Sequence, residues 1–157
     1  MEFLDNFQCI DHHENSSVEV SVLQCGKKKI LYHNIINLEK SKVDAYMEYY
    51  SVFYSEYEKL TNYKRKLLLI YDLRNYNEDN ESYYSKLKGV YPFASMHFSL
   101  RESYKTTLAA TVIIITNPKM KDFFDTVFST IYVPARPIQI VTEKELKCCL
   151  SNVYNLE

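Results

Sequence analysis

The residues best placed to do chemistry cluster where apolar runs end in charge. Lys66-Leu67-Leu68-Leu69-Ile70-Tyr71-Asp72 is a short apolar run that stops at Asp72, with Arg74 and Asn75 two and three residues on. Leu108 to Thr116 is a second such run, followed by Asn117-Pro118, and Ile138 to Val141 is a third, followed by Thr142. If these runs are parallel strands, Asp72, Arg74, Asn75, Asn117 and Thr142 share the edge beyond the strand C-termini, where open α/β sheets bind ligands. Helix N-termini at that edge offer free N–H groups and partial positive charge, and Arg74 adds a donor fork. The chemistry would be the binding of a small anionic or phosphorylated ligand. The same residue types also have a structural use. Asp72 and Arg74 can satisfy loop backbone and each other, and Asn117 and Thr142 can cap helices.

Other reactive side chains form no recognisable constellation in the sequence. His12-His13, His33 and His97 are far apart and lack matched acidic spacing, so they define no general base or ligand set. The four cysteines, Cys9, Cys25, Cys148 and Cys149, make no C-x-x-C pattern. They read as reduced thiols of a cytoplasmic protein, with no metal site and no cofactor. Two glycines, Gly26 and Gly89, cannot build a phosphate-cradling loop or a glycine-flanked nucleophile elbow. The expectation is a protein that is not an enzyme.

Tyr49, Tyr50, Phe53 and Tyr57 are more aromatic than one helix face needs. They suit a homodimer or protein-partner surface, since aromatic residues are enriched in interface cores. The alternative is that the rings lie on the domain's own core with their hydroxyls in water. Lys27-Lys28-Lys29 and Lys64-Arg65-Lys66 read as solvated strand ends, with a patch for acidic head groups or RNA as the alternative.

The elements that must position these residues follow from periodicity. Val18, Val20 and Val22 alternate with Glu19 and Ser21, so 18–24 is a strand that pairs with 29–36 across Cys25-Gly26-Lys27. Asn37 opens a helix to about Leu60, on the stripe Val43, Met47, Tyr50, Tyr54 and Tyr57. After strand 66–72 come a polar loop to Asn80, a short helix 81–88, a break at Gly89 and Pro92, and a second helical piece to about Ser103. Strand 108–116 leads into a helix started by Asn117-Pro118, with Met120, Phe123, Phe124, Val127, Phe128 and Ile131 on one face. Strand 138–141 precedes the capping box Thr142-x-x-Glu145 and a last helix.

The order β-β-α-β-α-β-α-β-α implies one α/β domain with a mixed, largely parallel sheet covered by helices. Residues 1–17 read as an N-terminal arm and 18–157 as the domain. The 157 residues (18.6 kDa, 46% apolar) are enough for a buried core. A net charge of -1 excludes bulk electrostatic binding of duplex nucleic acid. No apolar run approaches the roughly 20 residues of a transmembrane segment, and the acidic start Met1-Glu2-Phe3-Leu4-Asp5 does not read as a secretory signal.

Over about residues 18–152 the chain resembles the SpoIIAA-like (STAS-like) family, which is related to the lipid-binding CRAL-TRIO/SEC14 domains. The resemblance rests on Leu69-Ile70-Tyr71-Asp72-Leu73-Arg74, on Val112-Ile113-Ile114-Ile115-Thr116-Asn117-Pro118 entering a Phe-rich helix, and on Arg136-Pro137-Ile138-Gln139-Ile140-Val141 before a short terminal helix. It implies a non-enzymatic regulatory or protein-interaction module of STAS-like fold, sometimes switched by serine phosphorylation. The alternative it implies is a carrier of a lipid or nucleotide at the C-terminal edge of the sheet. STAS regulators place their serine at the start of the helix after the Asp-bearing strand, usually as Asp-Ser. Here the segment reads Asn77-Glu78-Asp79-Asn80-Glu81-Ser82, without that pair, and Ser82 is the candidate.

Overall fold

The computed structural model describes residues 4–36, 44–45, 67–76, 94–95, 105, 107–131 and 136–154. Among them, six strands form one mixed sheet in the sequential order β1-β2-β3-β4-β5-β6. The strands are β1 (Gln8–Glu14), β2 (Val18–Cys25), β3 (Lys28–Ile35), β4 (Leu67–Asp72), β5 (Leu108–Ile115) and β6 (Ile138–Thr142). The first three pair antiparallel, and β3 to β6 run parallel to one another. Two helices are described in full, α1 (Lys119–Thr126) and α2 (Glu143–Tyr154). The layered α/β domain expected from the sequence is therefore present, with every expected strand from 18 onward within a residue or two of its place.

One difference lies at the N-terminus. Residues 8–14, read as part of an arm, form strand β1. Its side chains are exposed or half-buried, so burial leaves no apolar alternation in the sequence. The strand is held by backbone pairing with β2, in register from His12↔Ser21 to Glu14↔Glu19, with a bulge between Cys9 and Asp11. The turn joining them is built by Asn15, whose Oδ1 accepts the N–H groups of Ser17 (2.8 Å) and Val18 (3.0 Å). At the β2–β3 turn, Gly26 adopts a φ of 59°, which glycine enters without a Cβ clash.

The sheet is covered differently on its two faces. Val18, Val20, Val22, Leu31, Leu69 and Ile113 point to the first face and share one buried cluster with Met120, Phe123, Phe124 and Val127 of the α1 segment. Ala94, from the β4–β5 connection, is buried in the same layer. The α1 helix widens into a π-helical turn at Val127–Ile131, and Phe128 stacks on Phe124 at 6.3 Å. Ile30, Leu68, Ile70, Val112, Ile114 and Val141 point to the second face, beneath Leu146 and Leu150 of α2. Leu4, Phe7 and Leu23 pack against this second cluster.

Arg136 ties the start of β5 to the approach to β6. Its Nε donates to the Leu108 carbonyl (3.1 Å) and its guanidinium reaches the Ala109 carbonyl (3.3 Å). No helix among the described residues is long and apolar enough to cross a membrane. The proposed aromatic interface at Tyr49, Tyr50, Phe53 and Tyr57, the phosphorylation candidate Ser82, and His97 lie outside the described residues.

Candidate functional site

Because β3 to β6 are parallel, their C-terminal ends lie along one edge of the sheet. Alternation then decides which face each residue takes. Ile30 and Ile70 belong to the second face, so Tyr32, Asn34 and Asp72 belong to it as well. The register sets Tyr32 beside Ile70 and Asn34 beside Asp72. The α2 helix begins on this face directly after β6, which brings Glu143 to the same corner.

Asp72 is the centre of the arrangement. It is only 2% exposed, yet both carboxylate oxygens are bonded. Oδ1 accepts the Arg74 backbone N–H (3.0 Å) and Arg74 Nε (3.0 Å). Oδ2 accepts Arg74 Nη2 (2.8 Å) and the Tyr32 hydroxyl. Arg74 reaches on to Glu143, with Nη1 3.0 Å from Oε1, and its Nη2 stands 3.5 Å from the Tyr32 oxygen. The pairing of Arg74 with Asp72 is the two-pronged geometry that gives the strongest charge-assisted bonds.

The ionisation of the group follows from this geometry. Burial on its own pushes the Asp72 carboxyl up, but the hydrogen bonds from Arg74 and Tyr32 outweigh it and hold the group below the usual aspartate range. The Tyr32 hydroxyl is pushed well above its ordinary value, first by burial and then by the Asp72 carboxylate it faces. Arg74 is raised further, chiefly by its hydrogen bond to Asp72. The corner therefore holds one cation between two carboxylates, one of them buried and one 25% covered (Glu143 is 75% exposed).

The other expected site residues are also placed by local bonds. Asn75 Nδ2 donates to Asn34 Oδ1 at 3.1 Å. Asn117 Oδ1 accepts the Lys119 N–H at 3.0 Å at the start of α1, on the opposite face from α2. The Thr142 hydroxyl donates to Glu145 Oε1 at 2.8 Å, and the Thr142 N–H points to the same oxygen at 3.4 Å. That is the reciprocal half of a capping box, and it holds Glu145 below the ordinary glutamate range. The structure thus brings Asp72, Arg74 and the start of α2 together. Asn117 stays with its own helix.

Two members of the network were not singled out in the sequence, Tyr32 and Glu143. Tyr32 sits at every second position with Ile30 and Asn34, which marks its face, but only the β3–β4 register puts it on Asp72. Glu143 adjoins Thr142 in sequence, and its meeting with Arg74 depends on α2 folding back over the sheet.

His33 lies on the first face. It is fully buried, its Nδ1 is 3.0 Å from the Ile70 carbonyl, and it stacks on Tyr71 at 4.3 Å. A carbonyl only accepts, so this nitrogen carries the proton. Cys148 and Cys149 occupy α2, the first exposed and the second half-buried, where burial and then the neighbouring Cys148 push the Cys149 thiol up. A raised thiol is a poor nucleophile.

Comparison of the chain with family models, curated proteins and solved structures gives no match in any of the three.

Proposed function

We propose that this chain is a non-enzymatic regulatory or protein-interaction module of STAS-like architecture, working in the cytoplasm through protein contacts. The observation that carries this reading is the internal saturation of Arg74. All three of its guanidinium nitrogens meet carboxylates of the same chain, two on Asp72 and one on Glu143. A site built to capture an anion keeps its donors aimed at the ligand, whereas here they lock β4, β3 and α2 into one rigid corner. The sequential mixed sheet supports the coarser part of the reading, a single layered α/β domain.

Around that corner, polar side chains of the described residues reach solvent on the second face. Glu14, Glu19, Asn34, Asn75 and Glu143 are exposed or half-exposed, a surface suited to a partner with complementary basic groups. Native mass spectrometry of freshly purified protein tests the reading. A mass without any nucleotide or lipid is expected, and a stoichiometric nucleotide or lipid travelling with the chain overturns it.

A second reading, a carrier of a small anionic ligand, draws on Glu143. Its exposed carboxylate rests on Arg74 at the first residue of α2, the place a ligand carboxylate or phosphate would take. If Glu143 stands in for a ligand, Glu143→Ala gains measurable phosphate affinity that Arg74→Ala lacks. If Glu143 is only a strut, neither variant binds.

A further inference from the structure

On the outer strands of the same polar face, where Glu19 pairs with Asn34 and Asn34 with Asp72, the hairpin β1–β2 gathers three ligand-type side chains that no sequence spacing reveals. His12 and Glu14 are two residues apart on β1 and so project to one face. Glu19 lies directly opposite Glu14 on β2, and Ser21 directly opposite His12. One ligand atom from each of His12, Glu14 and Glu19 lies within 4.8 Å of the other two, and His12 Nε2 is 3.8 Å from Glu14 Oε2.

We propose that His12, Glu14 and Glu19 form a surface site for a divalent transition-metal ion of the zinc class. Three features beyond proximity point to a cation. The first is the donor set: one imidazole and two carboxylates, from adjacent antiparallel strands, suit zinc and its neighbours better than calcium or magnesium, which favour oxygen alone. The second is the orientation of the imidazole. His12 Nδ1 is 3.0 Å from Ser21 Oγ and Nε2 is 3.8 Å from Glu14 Oε2, so a proton on Nδ1 held by Ser21 leaves Nε2 as the ligand atom on the Glu14 side. That is how metal-bound histidines are commonly fixed. The third is the opposition of Glu14 and Glu19. Like charges directly across an antiparallel pair are unfavourable, and a bound cation converts that repulsion into attraction.

The geometry needs little movement. Ligand atoms around a tetrahedral zinc with bonds of about 2.0–2.1 Å lie about 3.3 Å apart. The side chains of His12 and Glu14 are 44% and 66% exposed, so both have room to close on the ion. Three protein ligands leave a fourth position to water on the open face.

Calorimetric titration of the full chain with Zn²⁺ alone tests the proposal. A Cys148→Ser/Cys149→Ser background removes competition from the adjacent thiols of α2. One saturable ion per chain is expected. Its affinity falls at least about tenfold in His12→Ala and in Glu19→Gln, and about tenfold in Ser21→Ala, the scale of an outer-shell loss. His13→Ala, whose register partner Val20 faces the first side of the sheet, leaves it unchanged. Thermal melts without metal check that each variant folds, and Glu19→Gln should melt no lower than the parent because it relieves a like-charge pair. Added Zn²⁺ then raises the melting temperature of the parent but not of Glu19→Gln. Absence of a saturable site, a site that survives both His12→Ala and Glu19→Gln in folded protein, or a thiolate charge-transfer band when Co²⁺ is the probe overturns the proposal.

Discussion

The inner pair β4–β5 and the outer hairpin β1–β2 belong to one sheet and obey opposite rules. Every position of β4 and of β5 is buried, and their side chains divide between two apolar clusters, one shared with α1 and the other with α2. A strand buried on both sides has no reason to alternate, and Leu67-Leu68-Leu69-Ile70 and Val112-Ile113-Ile114-Ile115 do not. In β2 the valines at 18, 20 and 22 are buried while Glu19 and Ser21 reach water, and in β1 no side chain is buried. The inner pair can hold no reactive group without heavy desolvation. Asp72, at its last position, is admitted only with Arg74 and Tyr32 bonded to it. The outer hairpin presents carboxylates and imidazoles at no such cost, which is why the metal-ligand set lies there.

The sharpest way to break this contrast is to remove the same kind of side chain from each region. Leu69 is fully buried, and Leu69→Ala should cost about 2–5 kcal/mol, the range for a cavity left in a packed core. Ile10 on β1 is 43% exposed, and Ile10→Ala should change stability by no more than about 0.5 kcal/mol. Urea unfolding followed by circular dichroism measures both. Similar losses at the two sites would mean that β1 is packed against something and that the hairpin is not an outer layer.

The next test concerns the junction of the two regions, where β3 and β4 share the Tyr32–Asp72–Arg74 corner. Asp72→Asn leaves Arg74 without its main partner, and since Arg74 still reaches water the loss should be about 2–3 kcal/mol, below that of a fully enclosed pair. Glu143→Ala, at the exposed end of the same network, should cost about 0–1 kcal/mol. The pH dependence has a definite sign. Asp72 titrates lower in the folded chain than the ordinary 3.8, so its contribution is complete above that value. It is lost as pH falls through the folded-state value. Acid unfolding below pH of about 4 should therefore be steeper in the parent than in Asp72→Asn. Parallel acid profiles would show that Asp72 is not the group the corner stabilises.

What the sequence made legible follows the same division. Strands β2 to β6 could be read because burial imposes either alternation or an unbroken apolar run. Strand β1 could not, since Gln8-Cys9-Ile10-Asp11-His12-His13-Glu14 buries no face and is set by the backbone ladder of its neighbour. At the corner, Asp72 and Arg74 were visible because opposite charges two residues apart can meet within one turn. Tyr32 lies 40 residues from Asp72 and Glu143 lies 69 from Arg74, distances that only the parallel register and the return of α2 close. The outer ligand set was hidden for the same reason: Glu19 reaches Glu14 through a turn, and periodicity says nothing about which turn residue sets the register. Asn117 and Thr142 were legible as caps because a cap is local.

The smallest effect distinguishes the cover from what it covers. Thr142 holds the first turn of α2 through Glu145, and Thr142→Ala should cost about 1 kcal/mol, the usual net contribution of one intramolecular hydrogen bond. Because α2 packs on β5 and β6, the change should speed amide hydrogen exchange in the first turn of α2 and near Val141. Exchange in β1 and β2 should stay as it was, since the main packing of α2 is on β5 and β6. If the hairpin exchanged faster as well, the two regions would unfold as one cooperative unit, and the division between a covered interior pair and an independent outer hairpin would describe packing alone. Confinement of the change to α2 and β6 would show that the outer hairpin can move, or close on an ion, without disturbing the core.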